Sequence, residues 1–173
     1  MVSELRPDPR GFFIRTYDQE VLQRRGLVTQ WVQESQSFSV QKGTVRGLHF
    51  QRPPFAETKI VRVGQGKVFI VLLDLRAGSR TFGSWDSLTL SIENPEFLYA
   101  PKGLAMGMCT LTDNCSLLYK MDTPYEPKSA RTVRWNDPAL AIPWPVDDPV
   151  LSDKDKVAPL LDEYLALEGA LTV

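Results

Sequence analysis

The apolar positions of this chain fall into short runs with a two-residue period, and turn residues break them up. KIVRV (59–63), the turn GQG and KVFIVLLDLR (67–76) read as a hairpin, and the second arm is apolar on both faces as a central strand would be. SLTLSI (87–92) alternates, with Leu88, Leu90 and Ile92 inward. FLYAP (97–101) is a further short strand after the ENPE turn. CSLLYKMD (115–122) places Cys115, Leu117, Tyr119 and Met121 on one face, and TVRW (132–135) is a last strand before the NDP turn. Helical signals lie near the ends. Residues 18–26 have Asp18 to open a helix and Gly26 to close it, and 158–169 show helical apolar spacing. Short strands joined by turns predict an all-β fold: a double-stranded antiparallel jelly roll with short peripheral helices.

Composition narrows the function without fixing it. A chain of 173 residues fits one domain, expected to span 1–173, with no repeat or linker inside it. A net charge of −1 supplies no field for nucleic acid or anionic lipid. No apolar run reaches the length of a membrane span, and the first residues lack an apolar signal core. Cys109 and Cys115 read as free thiols of a cytoplasmic protein, and two thiols with no nearby histidine cannot make a zinc site.

The chain has one histidine, His49, in RGLHFQ. A metal-binding jelly roll needs two or three imidazoles and a carboxylate, so no metal is expected. His49 alternates with Gly47 and Gln51, which makes a small, polar strand face suited to a ligand-lined lumen. No phosphate loop, G-x-S-x-G or G-x-G-x-x-G is present.

RGLHFQ is followed in order by PP (53–54), Lys59, DLR-GS-TFG-W (74–85), P-x-G-x-A-x-G (101–107), LLYK (117–120), Y-x-P (125–127), WNDP (135–138), WP (144–145) and SDKD (152–155) before AP. From about Pro9 to Pro159 this series resembles the dTDP-4-dehydrorhamnose 3,5-epimerase family. The resemblance implies a cupin-type jelly roll that uses no metal or cofactor. It also implies a homodimer, with residues 1–30 in the contact. The substrate implied is a nucleotide-linked 4-keto-6-deoxyhexose, epimerised beside its ketone. His49 is the implied base, Asp155 its orienting carboxylate, Tyr119 the acid and Lys59 the group at the keto oxygen. Arg10, Phe13, Arg15, Gln33, Arg46, Gln51, Tyr125 and Lys154 are implied substrate contacts. These residue types suit the chemistry: neutral imidazole is a competent base near neutral pH, and a cation or donor at the oxygen stabilises the enolate.

Three departures from the family pattern stand out. Met106 and Ile70 occupy positions where the family carries a second His and Asp. Losing both together leaves a self-consistent apolar patch, and that favours exchange at one sugar carbon over the other. Arg15 stands where the family has a Glu that helps read thymine. Arginine has only donors, so a CDP-linked substrate becomes an alternative to a dTDP-linked one. An extra residue near Ser37 and Ser39 shifts the alignment of Gln33 and Ser35. A sugar-nucleotide ketoisomerase and a non-catalytic sugar-nucleotide-binding cupin are the rival readings. The joint presence of His49, Asp155, Tyr119 and Lys59 weighs against the second of these.

Overall fold

The computed structural model describes residues 5–94 and 96–173. A small hairpin comes first, β1 (Leu5–Asp8) with β2 (Gly11–Ile14), and then helix α1 (Gln19–Arg24). Asp18 caps α1 by accepting the Val21 N–H, and Gly26 follows in the left-handed region with φ +67°. Nine strands build the body: β3 (Gln33–Ser39), β4 (Val45–Gln51), β5 (Lys59–Gln65), β6 (Lys67–Asp74), β7 (Trp85–Ser91), β8 (Leu98–Ala100), β9 (Leu104–Thr110), β10 (Cys115–Met121) and β11 (Ala130–Thr132). Two short helices close the chain, α2 (Asp153–Lys156) and α3 (Leu161–Glu168).

The strands form two facing antiparallel sheets, ordered β3-β10-β5-β8 and β11-β4-β9-β6-β7. This is the jelly roll the strand spacing predicted. Alternation divides each strand between two environments. Val61, Val63, Cys115 and Leu117 of the four-stranded sheet meet Val68, Ile70, Leu90 and Met108 of the five-stranded sheet in the space between them. The outer face of the five-stranded sheet carries Leu48, Phe50, Val71, Leu73 and Leu75 under Leu161 and Tyr164 of α3. Outside β5 and β8, Ile60 and Tyr99 pack with Leu22, Leu27 and Trp31 of the N-terminal segment.

Residues 59–76 do not form the expected hairpin. β5 lies between β10 and β8, and β6 lies between β9 and β7, so each strand is already flanked on both edges. Gly66 carries the chain from one sheet to the other at φ +78°, where a Cβ would meet Cys115 Sγ and Thr112 Oγ1 at 2.6 Å. A short Gly loop looks the same in sequence whether the chain returns to its own sheet or crosses to the facing one. The final strand also differs, ending at Thr132 instead of running from 132 to 135. The C-terminal helix begins at Leu161 instead of 158, because Leu160 is extended (ψ 161°). The Leu161 N–H then donates to the buried Asp137 carboxylate at 2.6 Å, and Glu163 reaches back to the Leu160 N–H at 2.7 Å.

The DLR-GS-TFG-W motif closes the β6–β7 connection. The Asp74 carboxylate accepts from Arg76 Nη2 (2.7 Å), Ser79 Oγ (2.6 Å), Thr81 Oγ1 (2.7 Å) and the Arg76 N–H (2.9 Å). The Arg76 guanidinium outweighs the upward push of burial, and the two hydroxyls and the backbone N–H add to it, so Asp74 sits far below the usual carboxylate range.

Candidate active site

β4 carries Arg46, His49 and Gln51, and an irregularity in it aims the side chains. Arg46 lies opposite Met108 of β9 and His49 lies opposite Met106, with a register shift between the two pairs. Three steps along β4 therefore match two along β9, the signature of a bulge. Side chains of opposite parity, Arg46 and His49, thus both face the lumen with Gln51. Gly47 sits at the bulge with φ +113°, and a Cβ there would come within 2.5 Å of the Met106 carbonyl. Only glycine allows that approach.

His49 Nε2 lies 2.6 Å from Asp155 Oδ1, across 106 residues of sequence. The imidazole is 40% exposed, whereas the carboxylate is only 3% exposed. Ser152 caps α2 and donates its hydroxyl to Asp155 Oδ2 at 2.9 Å, so the SDKD motif supplies both the carboxylate and its brace. Burial pushes the Asp155 carboxyl up. The hydrogen bond and charge of His49, the Ser152 hydroxyl and the Gly47 N–H together outweigh it and hold the group below the usual carboxylate value. An ionised carboxylate only accepts, so Nε2 carries the proton. That leaves Nδ1 as the basic nitrogen.

Tyr119 and Lys59 project from the other sheet. Tyr119 on β10 packs at the margin of the inter-sheet core with Met106. Lys59 opens β5, and its Nζ lies 3.0 Å from Glu57 Oε1; both side chains are largely buried, at 12% and 11% exposed. The imidazole thus comes from one sheet, the phenol and the ammonium from the facing one.

The remaining lumen wall has two characters. On β3, Gln33, Ser35, Ser37 and Ser39 lie opposite Met121, Tyr119, Leu117 and Cys115, which makes a polar row beside the phenol. Arg46 donates to Ser39 Oγ (3.2 Å) and the Phe38 carbonyl (3.3 Å), so it links β4 to that row. On β6 and β9 the wall is apolar. Ile70 is fully buried opposite Met108, and Met106 sits diagonally from it and directly opposite His49.

The other residues named from the sequence divide by position. Gln33 accepts the Tyr125 N–H, which joins the start of β3 to the loop after β10, and the Tyr125 ring is exposed. Gln51 is buried and its amide is engaged within the chain. It donates to the Phe55 carbonyl (2.9 Å) and the Pro124 carbonyl (3.1 Å), and accepts from the Glu126 N–H (2.6 Å). Lys154 precedes Asp155 and lines a cavity of about 280 Å³ with Ala130, Thr132 and Glu168. Arg10, Phe13 and Arg15 are not on the two sheets: Arg10 and Phe13 belong to a hairpin whose strands pair only with each other. Arg10 binds Asp8 (2.7 Å), and Arg15 binds Asp18 (2.9 Å).

Sequence reasoning missed Glu57 and Ser152. The E-T-K spacing places Glu57 and Lys59 two residues apart, a one-face signal on any strand. Ser three residues before Asp155 is a capping signature. Among the described residues no group of three or more His, Cys, Asp and Glu could hold a metal ion, and no helix is long and apolar enough to cross a membrane.

A jelly roll with an imidazole held by a buried carboxylate on one sheet, and a phenol and a lysine on the facing sheet, defines the class: a cupin-type enzyme. The sequence profile of the dTDP-4-dehydrorhamnose 3,5-epimerase family matches residues 1–163. The dTDP-4-dehydrorhamnose 3,5-epimerase of Salmonella typhimurium is 44% identical over 163 residues, 93% of this chain and 88% of that one. A crystal structure of the same enzyme from Bacillus anthracis, with TDP and pyrophosphate bound, is 46% identical with a TM-score of 0.91 and covers 92% of this chain and 91% of its own. ChmJ, a 3'-monoepimerase from Streptomyces bikiniensis solved with dTDP-quinovose, is 30% identical with a TM-score of 0.94, covering 99% and 87%. The chain belongs to the dTDP-4-dehydrorhamnose 3,5-epimerase family, and it is a sugar epimerase, an isomerase.

Proposed function

We propose that the substrate is dTDP-linked and that His49 Nδ1 removes a proton from a carbon beside the sugar ketone. The electron pair moves into the carbonyl to give an enolate, whose oxygen is met by the Lys59 ammonium. Tyr119 returns a proton to the same carbon from the opposite side, and solvent restores the phenol and the neutral imidazole. Asp155 fixes the tautomer and stabilises the imidazolium that forms. Arg46 with the β3 serines offers donors to sugar hydroxyls. The observation that carries this reading is the 2.6 Å His49–Asp155 contact on one sheet with Tyr119 on the other. Base and acid on facing sheets reach opposite faces of a ring held between them, which inversion requires.

The thymidine base is supported by the nucleotides in the two related structures. The protein works as a cytoplasmic homodimer, with the segment before residue 30 and the β3 edge in the contact. Gln51, with its amide engaged inside the chain, positions the site and does not touch the sugar.

Deuterium uptake from D₂O into the dTDP-4-keto-6-deoxyhexose, followed by NMR at C3 and C5, tests the reading. Wild type exchanges, and His49→Ala loses exchange by at least about 10³-fold while still binding dTDP. Exchange by His49→Ala at the wild-type rate overturns it.

The apolar wall favours a second, finer reading, in which exchange at one carbon far outpaces the other. Met106 beside the base and Ile70 behind it give a sugar hydroxyl no partner, and an unpaired buried hydroxyl costs about 1–3 kcal/mol. Fewer poses of the ring are then well held. Equal deuterium uptake rates at C3 and C5 remove this reading.

A further inference from the structure

We propose that Glu57 is a positioning residue for the reaction: its carboxylate holds the Lys59 ammonium at a fixed distance from the strand that carries the base. The proposal rests on the role given to Lys59 above.

Lysine ends a flexible four-carbon stem, and in an apolar lumen its direction is set by whatever binds it. Here the binder is a single carboxylate oxygen, Glu57 Oε1, 3.0 Å from Nζ, with both side chains nearly closed to solvent. The second carboxylate oxygen, Oε2, is approached by Gln51 Nε2 at 3.4 Å. Gln51 is two residues beyond His49 on β4, on the same face, and its amide is pinned to the Phe55, Pro124 and Glu126 backbone. The chain of contacts is therefore His49 strand, Gln51 amide, Glu57 carboxylate, Lys59 ammonium. It spans the two sheets and ties the base to the cation across the site. A proton leaving the carbon beside the ketone and a charge arriving on the ketone oxygen, two bonds away, are simultaneous events, so the two groups that serve them must keep one separation. The pair is also balanced before substrate enters: the ammonium is compensated by Glu57, and removing that anion leaves a buried cation without a partner.

The test compares Glu57→Gln and the apolar isostere Glu57→Met with wild type, with Lys59→Met and with each double variant. Deuterium exchange, dTDP affinity and thermal unfolding are the readouts. Both Glu57 variants are expected to exchange about 10- to 100-fold more slowly, with KM and the dTDP dissociation constant within about twofold of wild type. In the Lys59→Met background neither should slow exchange further, because the group it holds is gone. A merely structural role would instead lower activity in step with folding and would add to the Lys59→Met loss. Exchange at the wild-type rate in either variant, additive losses, or failure of both variants to fold overturns the proposal. If wild type itself does not exchange, or Lys59→Met exchanges normally, the fault lies with the reaction assigned above and not with Glu57.

Discussion

Two carboxylates are held ionised by their surroundings, and each makes a distinct prediction. At the dyad, Asp155→Asn should slow exchange by about 10²-fold or more, because an amide at Oδ1 no longer fixes the proton on Nε2. The Ser152 cap remains available to the amide, so unfolding temperature should change far less than rate. At the β6–β7 loop, Asp74→Asn removes an anion that five donors surround, and stability should fall by about 1–3 kcal/mol at neutral pH. Because the native Asp74 value is depressed, its contribution is complete above the unfolded carboxyl value and is lost as pH falls toward the native one. Urea unfolding should therefore show a constant gap between wild type and variant from about pH 8 to 5, narrowing below about pH 4. A gap that widens in acid would contradict the assignment.

Whole elements are placed by single buried groups as much as by their own propensity. α3 is eight residues long, too short to persist alone, and Asp137 receives both the Ala139 N–H (2.8 Å) and the Leu161 N–H (2.6 Å). Asp137→Ala should cost about 1–3 kcal/mol and lower the melting temperature by several degrees, with a dTDP affinity close to wild type. The WNDP motif is thus explained by the docking of α3, not by substrate. Strands with clean alternation were legible from the chain, as CSLLYKMD and SLTLSI show. Their partners were not, since sheet membership after GQG depends on which edges other strands have already taken. The dyad was legible through its motifs, RGLH and SDKD. Arg46 sharing a face with His49 was not, because a bulge reverses parity and leaves no mark in the alternation except a glycine. Glu57 was not, because a Glu two residues before a strand's first Lys reads as a solvated charge until its burial is known.

At the scale of the whole molecule, β3 is an edge strand with Phe38 and the adjoining Val40 exposed, and the N-terminal hairpin presents Phe12 and Phe13 to solvent. Edges and aromatic patches of this kind favour pairing with a second copy. Sedimentation at micromolar concentration should give twice the 19.5 kDa chain mass, and Phe38→Glu with Val40→Lys should shift it toward monomer. A stable monomer in wild type would remove the dimer. The single histidine then has a use that concerns the assembly. Once any affinity tag is cleaved, the His49 ring C–H signals are the only imidazole resonances in the spectrum, so they need no assignment. A symmetric dimer gives one set. At half-saturating dTDP, slow exchange splits that set into free and bound signals. A third set at that point would report a dimer occupied on one side only, so the lone imidazole registers whether the two lumens fill independently.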